Sequence, residues 1–292
     1  MAGFAAHVVT GLASGGIYAL LALGLVLTHR STRTLNFAQG ELATLSAFVC
    51  WALTAHGWAF WPAFGVTVLL SFGGGFALHG VVIRPVEGGS PVGVVLLTVG
   101  LLLAINGLDA WIWGAGAKHV HDPFSTATVH VAGGALSKQS LWTAGVALAV
   151  SLVVGALLAR TKLGLGLRAA ATSPVEARFA GVPVGALVAT AWGLAAAVGA
   201  VAGVLASPTF GLEPNMMRTV LLYAFAAALL GGLRSPLAAV VGGFALGVAL
   251  ELLDAYVHWI DGVLRPPVAF ALVLTLLLAR PGRLVGPERW AA

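Results

Sequence analysis

The chain has 292 residues, of which 59% are hydrophobic and only 9% are charged, and its net charge is +5. Soluble domains carry about a quarter charged residues, so this composition excludes a soluble, disordered or nucleic-acid-binding protein. At about 20 apolar residues for each crossing, the length has room for roughly eight to ten transmembrane helices and for no large extramembrane domain. We therefore interpret residues 1–292 as one transmembrane domain.

Nine apolar runs predict an all-α polytopic membrane protein with about nine transmembrane segments. No basic region precedes the first run, so we interpret it as a retained helix and not as a cleaved signal peptide. The second and ninth runs are short, and only Arg234, Ser235 and Pro236 separate the seventh run from the eighth. Such segments are typical of discontinuous helices beside a substrate path, although tight turns explain them equally well. The runs are 7–28, 41–57, 62–83, 92–113, 141–159, 185–206, 219–233, 237–257 and 266–279.

Glycines spaced four residues apart recur within the runs, at Gly11/Gly15, Gly199/Gly203 and Gly243/Gly247. This spacing allows helix backbones to approach closely. Because the pattern is also frequent by chance in apolar sequence, we interpret it as dense packing of a compact bundle and not as proof of a dimer.

A polar sequence lies where the second run begins, and it contains Asn36, Gln39 and Glu41. Polar groups at membrane depth must be satisfied by protein or line a watery cavity. These residues are therefore candidates for a partly re-entrant element beside a substrate path. An alternative, in which Asn36 and Glu41 cap a helix at the membrane surface, is equally compatible with the sequence.

More polar residues lie near the outer ends of two later runs. Asn106 and Asp109 are three residues apart, as are Glu251 and Asp254. At such positions we expect solvated interfacial acids. Asn106 is also a candidate for the substrate path, because few other uncharged polar groups are available to point inward.

Basic residues determine the predicted orientation. Residues 160–185 carry four of them, Arg160, Lys162, Arg168 and Arg178, against one acid, and we assign this loop to the cytoplasm. Alternation then makes residues 114–139 an extracytoplasmic loop, with the N-terminus outside and the C-terminus inside. Seven more basic residues join the inner side, giving 4 + 7 = 11 against 4 outside, as the positive-inside rule requires. The seven are Arg30, Arg33, Arg84, Arg234, Arg280, Arg283 and Arg289, and the outer four are Lys118, Lys138, Arg218 and Arg265.

A capping box in the cytoplasmic loop predicts the start of a short helix. The Ser173 hydroxyl can accept a hydrogen bond from the amide of Glu176, the third helical residue. The Glu176 side chain can in turn accept one from the amide of Ser173. Gly181, followed by Pro183, ends the helix after about two turns.

The same short helix carries an apolar stripe. Val175, Phe179 and Val182 recur at i, i+4 and i+7, with Arg178 beside them. A helix of two turns is not stable alone, so the stripe must pack on lipid, on the rest of the chain or on a partner protein.

Motifs of intramembrane enzymes and of nucleotide binding do not occur in the sequence. There is no His-Glu-x-x-His, and no lysine lies in a phosphate-binding loop. His119, His121, Asp122 and His130 offer an incomplete set of metal ligands, which we interpret as a surface loop. We expect a non-enzymatic membrane subunit that binds no metal or cofactor, so that any ATP is used by another chain.

Six short sequence segments, taken in chain order, resemble the membrane permease of bacterial branched-chain amino acid ABC importers (the LivH type). They are 15–20 (GGIYAL), 35–41 (LNFAQGE), 84–86 (RPV), 163–169 (LGLGLRA), 180–182 (AGV) and 230–243 (LGGLRSPLAAVVGG). The resemblance covers nearly the whole chain. It implies an inner-membrane subunit that works with a second permease, two cytoplasmic ATPases and an extracytoplasmic solute-binding protein, and it involves no nucleic acid.

The resemblance also implies a role for the short helix. Permeases of this kind dock on their ATPases through a coupling helix, which here corresponds to Ser173, Val175, Glu176, Arg178, Phe179 and Gly181. The predicted function is translocation of branched-chain or other apolar amino acids by alternating access. The alternatives are a permease for urea or short amides and a stand-alone secondary carrier.

Overall fold

The computed structural model describes residues 2–87, 89–120, 128–131, 134–233, 235–257 and 264–279. These residues form eleven α-helices, one π-helical turn and one hairpin of two antiparallel strands. The helices are α1 (Ala2–Thr32), α2 (Gln39–Ala55), α3 (Phe60–Leu78, continued by the π turn His79–Ile83), α4 (Pro91–Trp113), α5 (Lys138–Arg160), α6 (Lys162–Thr172), α7 (Pro174–Phe179), α8 (Val184–Phe210), α9 (Met217–Leu230), α10 (Pro236–Tyr256) and α11 (Arg265–Ala279). The strands are β1 (Thr128–Val131) and β2 (Gly134–Ser137).

Each of the nine apolar runs coincides with a helix, which confirms the all-α polytopic fold. Six helices are long and apolar enough to cross a membrane: α1, α3 with its π turn, α4, α5, α8 and α10. The other three, α2, α9 and α11, have 17, 14 and 15 residues. The number of nine crossings therefore stays a prediction.

Serine and proline begin two of the spanning helices. The Ser90 hydroxyl accepts a hydrogen bond from the amide of Val92, and the Ser235 hydroxyl accepts one from the amide of Ala238. In each case proline follows, where its missing N–H removes no helical bond. The hairpin between α4 and α5 lies in the loop that was predicted to be extracytoplasmic.

The core of the bundle is built around α1. Residues 15–28 are all buried, because α1 packs against α5, α8, α9 and α10. By contrast, α3, α4 and α5 expose large apolar side chains such as Leu69, Leu103 and Val153. Apolar surface of this extent is normal for a chain whose solvent is lipid.

Glycine pairs on α1 and α10 bring the two helix backbones together. A Cβ atom on Gly15 would lie 2.9 Å from the carbonyl oxygen of Gly243, and one on Gly11 would lie 2.7 Å from the Cα of Val248. Real Cβ atoms essentially never approach other atoms so closely. The glycine spacing therefore serves dense packing within the chain, as predicted.

Loops that were predicted to share one side of the membrane contact each other. On one side, the Lys118 amide donates to the carbonyl oxygen of Leu212 at 2.8 Å, and the Trp51 indole donates to the carbonyl oxygen of His119 at 3.1 Å. On the other, the Arg33 guanidinium donates to the carbonyl oxygen of Ala171. The basic residues Arg234, Arg280, Arg283 and Arg289 and the loop residues His121 and Asp122 lie outside the described residues.

Candidate functional sites

The link between α1 and α2 is a buried polar element, which we define as residues 36–41. The Asn36 side chain accepts a hydrogen bond from the amide of Ala38 at 3.1 Å and donates one to the Gln39 side chain at 3.2 Å. The Gln39 amide in turn donates to the carbonyl oxygen of Ala195 at 2.8 Å. Asn36 is 1% exposed and Gln39 is fully buried. Both predicted path residues therefore lie inside the bundle.

Two glycines make room for the Gln39 side chain. A Cβ atom on Gly24 of α1 would lie 2.7 Å from Gln39 Nε2, and one on Gly199 of α8 would lie 2.9 Å from it. The Gln39 amide thus passes between two helices at positions where neither has a side chain. This placement explains why Gly199, predicted only as a packing residue, faces a polar group.

The polar element lies deep in the bundle. Ala195 is the twelfth residue of α8, so it stands about 16 Å along that helix from its start. Because Gln39 is the first residue of α2, this helix begins well inside the bundle, which accounts for its length of only 17 residues. A partly re-entrant entry into α2 agrees with this geometry.

A second short helix, α9, begins at the same depth. A Cβ atom on Gly40 would lie 3.3 Å from Leu221 Cβ and 3.5 Å from Met217 Cβ, so the first turns of α2 and α9 are in contact. The N-terminus of a helix carries partial positive charge from its unpaired amides. Two such ends therefore meet in the middle of the bundle.

The remaining two path residues lie beside this meeting point. Glu41 is buried, and its Oε2 accepts a hydrogen bond from Asn106 Nδ2 at 3.2 Å. Asn106 also donates to the carbonyl oxygen of Pro214 at 2.9 Å and to the side chain of Asn215 at 3.2 Å. This one amide joins α2, α4 and the loop before α9. All four predicted residues, Asn36, Gln39, Glu41 and Asn106, are thus brought together around the first turn of α2.

Asp109 was interpreted as a solvated acid, and this prediction is wrong. Its side chain is fully buried, and neither carboxyl oxygen accepts a hydrogen bond from the part of the chain that the structure describes. It lies close enough to Glu41 for the two carboxyl groups to interact electrostatically. The available signal was the spacing of three residues from Asn106, which puts both side chains on one face of α4.

The acids on α10 differ from Asp109. Asp254 is exposed, as predicted, whereas Glu251 is half-buried and lies 3.6 Å from the imidazole of His7 on α1.

The loop that was predicted to be cytoplasmic forms two consecutive helices, α6 and α7, that meet at Ser173. Its hydroxyl accepts a hydrogen bond from the amide of Glu176 at 3.4 Å, which confirms the predicted start of α7. The reverse half of the capping box is not formed, because the amide of Ser173 already donates to the carbonyl oxygen of Ala169 and so ends α6. The sequence pattern did not predict α6 as a separate helix.

The end of α7 follows the prediction. Gly181 has a φ of 77°, and the amide of Val182 donates back to the carbonyl oxygen of Ala177 at 2.9 Å. A positive φ at this position favours glycine and closes the last turn of the helix.

The predicted apolar stripe is divided by this turn. Val175 is 60% exposed and Phe179 is 89% exposed, whereas Val182 packs inward against the cluster that contains Ala177. The stripe prediction is therefore wrong for Val182, because the positive φ of Gly181 turns the chain before that residue. Glu176 and Arg178 are exposed beside the two apolar side chains. Phe179 and Val175 therefore form an exposed apolar patch, and such patches are typical of surfaces that contact a protein or a membrane.

The family described as "Branched-chain amino acid transport system / permease component" matches residues 7–279. The chain belongs to this family. It is a multi-pass membrane permease subunit, and the resemblance found in the sequence is confirmed.

Several relatives are similar over nearly their whole length. BraD of Pseudomonas aeruginosa, a high-affinity branched-chain amino acid transport system permease protein, is 27% identical over 97% of this chain and 96% of its own. LivH of Escherichia coli K12 is 26% identical over 98% and 96%. A probable LivH of Methanocaldococcus jannaschii is 25% identical over 92% and 88%.

A solved structure is similar in fold. PsaBC from Streptococcus pneumoniae in complex with Fab aligns with 95% of this chain and 92% of that chain, with a TM-score of 0.52. The identity is 12%, so this likeness concerns the fold alone.

Proposed function

We propose that this chain is the permease subunit of an ATP-driven importer and forms half of a path for branched-chain or other apolar amino acids. The observation that carries the proposal is membership, over residues 7–279, in the permease family of branched-chain amino acid transport systems. The relatives named above favour apolar amino acids over urea or short amides as the cargo.

The buried polar element supports a path through the centre of the bundle. Asn36, Gln39, Glu41 and Asn106 surround the point where α2 and α9 begin. Discontinuous helices in transporters direct their N-termini at anionic groups of the substrate. We assign the α-carboxylate of the amino acid to these helix ends.

The buried acids supply the complementary charge. Asp109 has no hydrogen-bond partner in the described part of the chain, and Glu41 has only the neutral amide of Asn106. Arg218 interacts with Glu41 electrostatically but forms no ion pair with it among the described residues. We assign the α-ammonium group of the substrate to Glu41 and Asp109, since a buried charge is stable only beside an opposite one.

Coupling to ATP is assigned to α7. In this proposal Phe179 and Val175 pack on a cytoplasmic ATPase subunit, with Ser173, Glu176, Arg178 and Gly181 holding the helix in shape. This chain binds no cofactor, and two ATPase subunits hydrolyse the ATP. A second homologous permease subunit completes the path, and an extracytoplasmic solute-binding protein delivers the cargo.

The proposed orientation in the bacterial inner membrane has the N-terminus outside and the C-terminus in the cytoplasm. Arg178→Cys and Gly116→Cys, each in a Cys50→Ala background, provide the test, because both positions are exposed. An impermeant thiol reagent added to intact cells should label Gly116→Cys only, and it should reach Arg178→Cys in inverted vesicles. Labelling of both from the same side would contradict the orientation.

Transport is tested in proteoliposomes that contain this chain with its partner permease, ATPases and binding protein. We expect ATP-dependent uptake of leucine that excess urea or acetamide does not inhibit. Uptake of leucine without ATP would instead favour a stand-alone carrier.

Asp109→Asn tests the path within the same assay. The substitution keeps the size of the side chain and removes one buried carboxyl group, so leucine uptake should fall by about tenfold or more, in line with the loss of one buried charged contact. Asp254→Asn is the matched control, because this aspartate is exposed. Equal uptake by the Asp109→Asn and Asp254→Asn proteins, at equal membrane levels, would remove Asp109 from the path.

A further inference from the structure

A cavity of about 190 Å³ opens where α1 ends and α10 begins, at the end of the bundle that carries Arg33 and α6. Helices α1, α5, α6, α8 and α10 all contribute to its wall. This cavity is separate from the polar element of residues 36–41, none of which lines it.

Two arginines face this cavity, and neither has an acidic partner among the residues that the structure describes. Arg30 lies in the last turn of α1 and Arg168 lies on α6, and their guanidinium groups are close enough to repel each other. Arg168 donates one hydrogen bond to the carbonyl oxygen of Leu158 at 3.0 Å, whereas Arg30 has no hydrogen bond or ion pair within the described ranges. Of the described residues, no aspartate or glutamate lines the cavity. Arg30 is half-buried and Arg168 is exposed. Two neighbouring cations repel each other, and an anion between them removes this repulsion.

The start of α10 adds to the positive potential. Ser235, Pro236 and Leu237 line the cavity, so the N-terminus of this 21-residue helix opens onto it. The first-turn amides of a long helix attract anions. The amide of Ala238 donates to the Ser235 hydroxyl, and the amide of Ala239 donates to the Ser235 carbonyl oxygen. Among the described residues, the amide of Leu237 is left available to bind an anion.

Apart from Ser31, the rest of the wall is apolar, with Leu27, Leu158 and Leu167 among its members. A small inorganic anion gains nothing from contact with such an apolar surface. A phospholipid has both a phosphate group for the arginines and hydrocarbon chains that can pack against the leucines. The cavity also lies at helix ends, where the headgroups of a bilayer are found. Basic pockets between transmembrane helices are known binding sites for anionic headgroups.

We propose that this cavity binds an anionic phospholipid, with its phosphate held by Arg30, Arg168 and the first turn of α10 and its acyl chains along the leucines. Arginine suits this role because its planar guanidinium group binds phosphate with two parallel hydrogen bonds. A bound lipid links α1 to α6, which is joined to α7 at Ser173, and it screens the repulsion between the two guanidinium groups.

The test measures lipid binding to the full-length chain purified in detergent, by native mass spectrometry and by thermal unfolding. The probes are phosphatidylglycerol, phosphatidylcholine and inorganic phosphate. We expect phosphatidylglycerol to bind more tightly than phosphatidylcholine and to raise the unfolding temperature. In the double variant Arg30→Gln/Arg168→Gln, the affinity for phosphatidylglycerol should fall about 30-fold.

Arg84→Gln is the matched control, because Arg84 is exposed on the same side of the bundle and does not line the cavity. Unfolding without added lipid verifies that the double variant is folded. The proposal is overturned if Arg84→Gln weakens binding as much as the double variant does, if the double variant binds phosphatidylglycerol like the wild type, or if inorganic phosphate raises the unfolding temperature as much as the lipid does.

Discussion

The polar element of residues 36–41 and the helix α7 differ in which side chains they bury: the first buries polar side chains, and the second exposes apolar ones. The polar element buries Asn36, Gln39 and Glu41 inside an apolar bundle, whereas α7 leaves Phe179 and Val175 exposed. Each arrangement is unfavourable for an isolated chain. Hydrogen bonds stabilise the first arrangement, and in our proposal a polar substrate adds to them, whereas a partner protein covers the apolar side chains of the second. The comparison identifies the two exceptions to normal burial as the places where we propose that the transporter contacts its substrate and its partner.

Replacing the exposed phenylalanine has the largest expected effect. A central aromatic side chain at an interface typically contributes about 2 kcal/mol or more to binding. Phe179→Ala should therefore weaken binding of the ATPase subunits by at least about 30-fold. The dissociation constant is measured with the purified subunits in nanodiscs.

Phe4→Ala controls for the loss of any exposed phenylalanine. Phe4 is 51% exposed at the start of α1, on the side that is predicted to face outward. This variant should bind the ATPases normally. Wild-type affinity of the Phe179→Ala protein would mean that α7 lies on lipid or on its own chain.

Filling the space beside Gln39 has the second largest expected effect. Gly199→Ala puts a methyl group 2.9 Å from Gln39 Nε2, and overpacking of this kind typically costs about 1–3 kcal/mol in the free energy of unfolding. In a Gln39→Ala background the same methyl group meets no side chain nearer than Ala43, at 3.8 Å. The cost of Gly199→Ala should then largely disappear, and a double-mutant cycle of unfolding free energies measures this coupling.

Gly73→Ala is the matched control for that cycle. Gly73 lies within α3, and a Cβ atom there meets nothing within 4 Å. The substitution should leave stability unchanged or raise it by up to about 1 kcal/mol, because alanine favours helix over glycine. Additive effects of Gly199→Ala and Gln39→Ala would show that the Gln39 side chain does not pass between α1 and α8.

Removing the hydroxyl of Ser173, the residue at which α6 ends and α7 begins, has the smallest expected effect. Ser173→Ala loses the hydroxyl that begins α7, at a cost of about 1 kcal/mol. Amides of α7 should then exchange hydrogen about fivefold faster, as measured by exchange and mass spectrometry. Ser173→Asn keeps a capping side chain and should exchange at the wild-type rate, whereas equally fast exchange in both variants would argue against the cap.

Much of the fold was predictable from the sequence, because helices that cross a lipid bilayer need long apolar runs, which shorter polar loops connect. Each run forms a helix. The ends of α7 were also predictable, because they depend on local features of the sequence, namely the capping side chain of Ser173 and the positive φ of Gly181. The residues of the polar element were also recognisable, since polar side chains are rare in such a chain.

The rest depended on contacts between distant residues. The burial of Asp109 results from the packing of α4 against α2, and its position near a helix end gave no sign of it. Likewise, the hydrogen bond from Gln39 to Ala195 joins residues that are 156 positions apart. The inward turn of Val182 followed from one backbone angle at Gly181, which a periodic pattern of side chains does not contain.

The glycine contact between α1 and α10 has a consequence for the biosynthesis of the chain. Gly15 and Gly243 are 228 positions apart in the sequence, and ribosomes add about 5–20 residues each second. Roughly 10 to 45 seconds therefore pass between the synthesis of the two glycines. During that interval α1 lies in the membrane without the helix that finally covers its glycines. The close contact between the two helices can therefore form only after α10 has been synthesised, well after α1.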